Sequence, residues 1–328
     1  MKFLIAGFGS IGRRHLRNLL SLGEKDIILY RSNHSTLPVD EIAEFPVETN
    51  IDAAFSHKPD AVIVSNPTHL HLEVALQAAE HGCHILLEKP VSHSLARINE
   101  FKALVDQNTI QVLVGFQWRF HPCFQQAAKL ISGGTIGRPL SASTHYGDYI
   151  PNWHPWEDYR NSYAARRNMG GGVVRTLCHP LDYTRWLMGE VKSVWGVTGH
   201  VSDLDIDAED FADVGFKHSN QAISSIHLDY YQQPSSMRLE IIGTSGTIAW
   251  DNADNILRNF DPTTGKWELH PAPEKFERND MFLEEMCHFR AVARGDAQPI
   301  CSLEDGIAVQ NIIASIDLAS EENVMVDL

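Results

Sequence analysis

The sequence is poor in the features that mark several large protein classes. Its 328 residues hold only five cysteines, Cys83, Cys123, Cys178, Cys287 and Cys301. They are scattered, odd in number and form no C-x-x-C pair, which argues against a disulfide framework or zinc ribbon and for reduced thiols in a cytoplasmic protein. The seventeen histidines show no H-E-x-x-H or comparable ligand spacing, so no metal is expected. No run of eighteen apolar residues exists, so no membrane span is expected. Met1-Lys2 followed by FLIAGFG is too short and too glycine-rich to read as a secretory leader. Cations are scarce: 27 bases face 42 acids, a net charge of −15. Nucleic acid and anionic membranes are therefore not expected as partners, because both call for clustered cations. An anionic small substrate would need only a local basic pocket. Internal repeats and low-complexity stretches are also missing.

What is present suits a soluble enzyme of two domains. The first half alternates short apolar strands with helical spacing: strands at 3–6, 26–30, 61–64, 84–87 and 111–114, helices at 13–22, 70–81 and 95–106. This alternation predicts an α/β fold that opens with a Rossmann-type, doubly wound parallel sheet. After residue 119 the pattern changes. A helix at 122–132 precedes longer β-type segments at 140–146, 191–201, 211–217, 222–231, 237–243 and 246–251, and helices return at 281–294 and 303–320. The second domain is expected to be α/β with a mainly antiparallel open sheet. The domains are placed at 1–119 and 120–328, with the C-terminal helix able to pack back on the first.

Gly7-Phe8-Gly9-Ser10-Ile11-Gly12 is a G-x-G-x-x-G turn between the first strand and the first helix. In that context it reads as a dinucleotide site. Gly7 permits the tight turn, Gly9 lets backbone approach the pyrophosphate, and Gly12 lets helix and strand pack closely. An NAD enzyme usually carries an acid at the end of the second strand. Here that stretch is Ile28-Leu29-Tyr30-Arg31-Ser32-Asn33, without an acid. Arg31 and Ser32 could hold a 2′-phosphate, so NADP is the favoured cofactor, with NAD also accepted.

Hydride transfer from a carbinol also requires a base for the hydroxyl proton and a donor for the developing alkoxide. His179 suits the first role and Lys89 the second. Lys89 follows a parallel strand, at the end where such sheets bind ligands. His179 would reach it from the second domain, in the cleft between the two.

Glu88-Lys89-Pro90, the turn at Gly7–Gly12, Asn66-Pro67-Thr68-His69-Leu70-His71, Trp118-Arg119-Phe120-His121-Pro122 and the run from Gly170-Gly171-Gly172 through Arg175, His179 and Asp182 to Trp186 occur in a definite order. Together they resemble the Gfo/Idh/MocA oxidoreductase family over nearly the whole chain. The resemblance implies Lys89 as the substrate-orienting lysine, His179 as acid/base, and Asp182 near substrate or histidine. It also implies a cis Lys89-Pro90 bond, with Asn66, Pro67, His71 and Glu88 beside the cofactor. Trp118, Arg119 and His121 are expected near the nicotinamide or the floor of the site.

One departure stands out. Many members of that family carry Asp four residues before the histidine, where this chain has Arg175. Arg175 either recognises a carboxylate or phosphate on the substrate or pairs with a neighbouring acid. The proline at 180 favours a helix starting near Cys178, with Arg175 in the entry loop. The aromatic and charged stretch 148–167, including Tyr149, Trp153, Trp156 and Tyr163, could line a sugar pocket, or else form a packed lid or oligomer contact. It resembles a loop in a subgroup of the family found with surface-polysaccharide and sialic-acid-like sugar biosynthesis. The expectation is a sugar or sugar-derivative dehydrogenase, its substrate acidic or nucleotide-linked, assembled as a homodimer or homotetramer. Redox-assisted glycoside cleavage and a non-catalytic dinucleotide- or sugar-binding protein are the competing readings.

Overall fold

A computed structural model describes residues 1–32 and 42–328, so Asn33 lies outside the described residues. The chain forms two compact units: Met1–Gln117 with Arg278–Ile307, and Trp118–Glu277 with Ala308–Leu328.

The first unit runs β1 (Phe3–Ala6), α1 (Ser10–Ser21), β2 (Ile27–Tyr30), β3 (Val47–Glu48), α2 (Ile51–Ser56), β4 (Ala61–Val64), α3 (His71–Glu80), β5 (His84–Glu88), α4 (Ile98–Asn108) and β6 (Val112–Gly115). The strands pair in parallel in the order β3-β2-β1-β4-β5-β6. Every side chain of β1 and β4 is fully buried, as an uninterrupted apolar run demands when helices cover both sheet faces. Each large one contributes roughly 1.5–3 kcal/mol through burial. The strand order reverses between β1 and β4, so the crevice beyond their carboxyl ends is the switch point where such sheets take ligands.

The second unit runs α5 (Pro122–Ser132), β7 (Pro139–Gly147), α6 (Val173–Thr176), α7 (His179–Met188), β8 (Val191–Gly199), β9 (Phe211–His218), β10 (Ile223–Asp229), β11 (Ser236–Gly243), β12 (Gly246–Asp251), β13 (Ile256–Asp261) and β14 (Lys266–Pro271). α8 (Arg278–Ala293) returns to the first unit, where it packs on α1, β5 and β6 through Met281, Phe282, Met286 and Phe289. The unit boundary then falls within α9 (Leu303–Glu322), and β15 (Val326–Asp327) closes the chain.

The second sheet has the order β14-β13-β12-β11-β7-β10-β9-β8-β15, antiparallel except where β10 lies parallel to β7. One face is covered. On β7 the inward residues are Ala142, Thr144 and Tyr146, and Thr144 Oγ1 meets Tyr183 Oη of α7 at 2.8 Å. On the other face Trp195, Ile223 and Ile242 are exposed.

Several elements differ from the sequence expectation. α1 starts at Ser10, so the second half of the glycine motif is already helical. β13 and β14 were not foreseen: the edge strand β14 is exposed along most of its length, so it carries no buried alternate set to read. Arg175 lies in the short helix α6 rather than in an entry loop, while α7 begins after Cys178 as the proline predicts.

Candidate active site

In the first unit the glycine turn is closed on its inner side and open at its tip. Gly7 has φ +98°, and a Cβ there would meet the backbone of Asn66; a Cβ on Gly12 would meet the carbonyl oxygen of Gly7. Ser65 Oγ donates to that same carbonyl at 2.9 Å, a brace no motif pointed to. At Gly9 a Cβ would find nothing within 4 Å. The N–H groups that open α1, from Ser10 and Ile11 onward, lie at this opening, and the first turn carries no acid. A helix start of this kind favours an anion. Asn66 Oδ1, just beyond β4, is buried without a hydrogen-bond partner among the described residues. The open tip and the helix start fit a dinucleotide pyrophosphate over Gly9, while the Asn66 oxygen, an acceptor, calls for a hydroxyl or N–H donor. Phe8 is buried, with the Arg13 guanidinium 5.1 Å from its ring. Pro67 precedes the 3-10 turn Thr68–Leu70 that leads into α3. At the end of β2 Arg31 is buried and Ser32 exposed.

β5 ends at Glu88, buried, and is followed by Lys89, half-buried, and the Lys89-Pro90 bond is cis. His71 ties two of these segments together. Its ring nitrogens face the carbonyl oxygens of Pro90 at 2.8 Å and Asn66 at 3.0 Å. Burial lowers its pKa toward the neutral form, which donates to one of the two. Glu88 accepts from His15 Nε2 of α1 at 2.8 Å. Burial alone would raise the Glu88 carboxyl; the His15 hydrogen bond and nearby His15, Lys89 and His71 outweigh it and hold it below its usual value. Glu285 of α8 completes a cluster in which one ligand atom each of His15, Glu88 and Glu285 lies within 4.8 Å of the others. It is the one group of this kind among the described residues, formed without any metal-motif spacing. Burial, then the Glu88 charge, raises the Glu285 pKa well above the carboxylate range.

In the second unit His179 is the first residue of α7 and is 4% exposed. One turn on, Asp182 accepts from Arg119 Nε at 3.0 Å and Nη2 at 2.7 Å. The Arg119 guanidinium sits 5.6 Å from the Trp186 ring centre. Trp118 is half-buried and stacks on His121 at 5.0 Å, with Phe124 and Trp250 around it. Burial lowers the His121 pKa to about 4, against a hydrogen bond that its ring donates to the Asn255 side chain. Its neutral ring accepts from Cys123 N at 3.2 Å and caps α5.

The model of the oxidoreductase family with an NAD-binding Rossmann fold matches residues 1–116, and the GFO/IDH/MocA C-terminal domain model matches residues 124–249. The chain belongs to the Gfo/Idh/MocA oxidoreductases. It is 27% identical over 326 residues to myo-inositol 2-dehydrogenase of Thermotoga maritima, covering 93% of this chain and 92% of that protein. It is 28% identical to the NAD(+)-dependent scyllo-inositol 2-dehydrogenase of Bacillus subtilis, covering 94% and 92%. Among solved structures, levoglucosan dehydrogenase in complex with NADH shares the fold with a TM-score of 0.88 at 21% identity, over 100% of this chain and 98% of that one.

Other residues of this Gfo/Idh/MocA chain fall in separate surroundings. Arg175 is ion-paired with Asp317 of α9, the second of the two alternatives its sequence position left open. Tyr163 is half-buried in the 3-10 turn Tyr163–Ala165, one of four such turns in the aromatic stretch, where Trp156 is exposed and Trp153 packs edge-on to Tyr230. Glu209, which no motif marked, lies against Gly172, and burial raises its pKa. No helix among the described residues is long and apolar enough to cross a membrane.

Proposed function

We propose that this oxidoreductase moves a hydride between a nicotinamide cofactor and a carbinol or carbonyl of a sugar or sugar derivative. The observation that carries the reading is the position of Lys89 at the carboxyl end of β5, on the same edge of the parallel sheet as the Gly7–Gly12 turn. The inositol and levoglucosan dehydrogenases among its relatives support a polyhydroxylated substrate. When bound, the nicotinamide supplies the hydride acceptor or donor.

The cofactor would be held by Gly7, Phe8, Gly9, Ser10, Ile11 and Gly12 at its pyrophosphate, with Asn66, Pro67, His71 and Glu88 along the crevice. Arg31 and Ser32 would hold a 2′-phosphate, which makes NADP the preferred form over NAD. Lys89 holds the substrate oxygen and stabilises the negative charge that grows on it as the C–H bond breaks. His179 takes the hydroxyl proton, and returns it in the reductive direction. Asp182 and Arg119 set the wall on which α7 presents His179, with Trp118 and Tyr163 beside the substrate. An acidic or nucleotide-linked sugar is the finer expectation. The exposed apolar residues Trp195, Ile223 and Ile242 suit a homodimer or homotetramer closed over the open sheet face.

The test pairs Lys89→Ala and His179→Ala with a panel of neutral, acidic and nucleotide-linked sugars. Both variants should bind NADPH like the parent and lose turnover by about a hundredfold or more. Undiminished turnover in either would overturn the assignment. Product formed without net change in cofactor would instead favour redox-assisted cleavage.

A further inference from the structure

Beneath Lys89, three side chains distant in sequence close on one another: His15 from α1, Glu88 from the end of β5 and Glu285 from α8. Glu285 and His15 are fully buried and Glu88 nearly so. Two carboxyl groups this close and this dry cannot both carry charge, because each would raise the cost of ionising the other. The surroundings decide which one does. Glu88 receives the His15 hydrogen bond at 2.8 Å and a long one from the Lys89 backbone N–H at 3.4 Å, and Lys89 and Arg14 act on it as nearby cationic groups. Neither oxygen of Glu285 has a hydrogen-bond partner among the described residues. An ionised Glu285 would be a buried charge with no donor; a protonated one faces an acceptor, the Glu88 carboxylate.

We infer that Glu285 is a positioning residue that works as a neutral carboxylic acid, donating its proton toward Glu88 and, with His15 on the other side, fixing the point at which the chain turns out into Lys89. The charge stays on Glu88, whose carboxylate also lies against Gly115 of β6, where a Cβ would come within 3.2 Å of it. The cluster thus clamps the end of β5 from α1, α8 and β6 at once. The positioning role rests on the function proposed above for Lys89; the protonation state does not.

The experiment uses the full chain labelled with δ-13C glutamate, with Glu285→Gln identifying the Glu285 resonance. The expected result is an undissociated carboxyl signal that does not move between about pH 6 and about pH 9, a range in which ordinary glutamates are fully ionised. The ammonium titration of Lys89, followed by ε-13C lysine NMR, should be the same in Glu285→Gln as in the parent, since no charge is removed. An ionised Glu285 signal at neutral pH, or a Lys89 pKa lowered by Glu285→Gln, would overturn the inference. So would stoichiometric uptake of zinc or magnesium chloride that Glu285→Gln abolishes, because the cluster would then be a cation site.

The kinetic arm compares Glu285→Leu, which removes the donor, with Glu285→Gln, which keeps one. Leu should lower kcat about tenfold with KM little changed, and Gln should restore it to within about threefold. Parental kinetics in Glu285→Leu would remove the positioning role. The NMR readouts need neither cofactor nor turnover, so a failure of the Lys89 reading and a failure of this one are told apart.

Discussion

Arg119 and Asp182 form a two-point ion pair, Nε to Oδ2 at 3.0 Å and Nη2 to Oδ1 at 2.7 Å, with side chains only 3% and 1% exposed. The pair joins the segment after β6 to the first turn of α7, one turn beyond His179. Removing one partner leaves the other charge buried without its two-point counterpart. Asp182→Asn should therefore cost about 3–5 kcal/mol in chemical denaturation. A loss below about 1 kcal/mol would mean that the pair is wetter than its geometry implies.

Gly9 and Gly12 separate folding from binding. Gly12→Ala drives a methyl into the Gly7 carbonyl and should lower both stability and cofactor affinity. Gly9→Ala meets nothing in the protein, and Gly9 has φ −84°, which alanine adopts readily. Its melting temperature should match the parent, while NADPH titration should show at least a tenfold weaker Kd, equal to about 1.4 kcal/mol. Parental affinity in Gly9→Ala would place the pyrophosphate elsewhere.

The proposed preference for NADP is tested at Arg31. Fluorescence titration of Arg31→Ala should show NADPH binding weakened by about tenfold or more and NADH binding by less than about threefold, because only the former has a phosphate for the guanidinium to hold. Equal losses for the two would assign Arg31 to the shared adenosine.

His227 makes the second sheet sensitive to alkali. It lies 2.8 Å from Asp213 and 3.2 Å from Asp229. The hydrogen bond to Asp229, opposed by burial and aided by Asp213, raises its pKa to about 9. The unfolded chain releases this proton near pH 6.5. The stabilisation is thus complete below about pH 6.5 and disappears as pH rises through about 9. Between those values the parent should lose on the order of 1 kcal/mol more than His227→Gln, a modest figure because the site is partly open to solvent. Superimposable pH–stability curves would contradict this.

Arg175 is the last test. Its ion pair with Asp317 predicts that Arg175→Met depresses turnover of neutral and acidic sugars equally. A loss confined to acidic sugars would show that the guanidinium leaves Asp317 to bind substrate.

Much of the fold was legible from spacing. The apolar runs of β1 and β4, the glycine turn between β1 and α1, the proline that starts α5 at residue 122 and the start of α7 after Cys178 are local patterns. β13 and β14 were not, since strand signals rest on an apolar alternate face: β14 is exposed along most of its length, and the buried alternates of β13 are Leu257 and the polar Asn259. The sequence reading allowed the C-terminal helix to pack back on the first unit but did not single out α8, the helix before it, as lying wholly within that unit, because helical periodicity says that a face must be covered and not by what.

Residue type and interval along the chain sufficed for the parallel sheet, the helix start after the glycine turn and the place of Lys89 at a strand end, because each depends on neighbours within a few residues. Partnerships did not follow in the same way. Arg119 with Asp182 spans 63 positions and His15 with Glu88 spans 73, and Glu285 joins them from farther still. Which acid keeps its charge and which keeps its proton depends on desolvation and on the donors within a few ångströms, and those exist only once the helices have closed over the sheet.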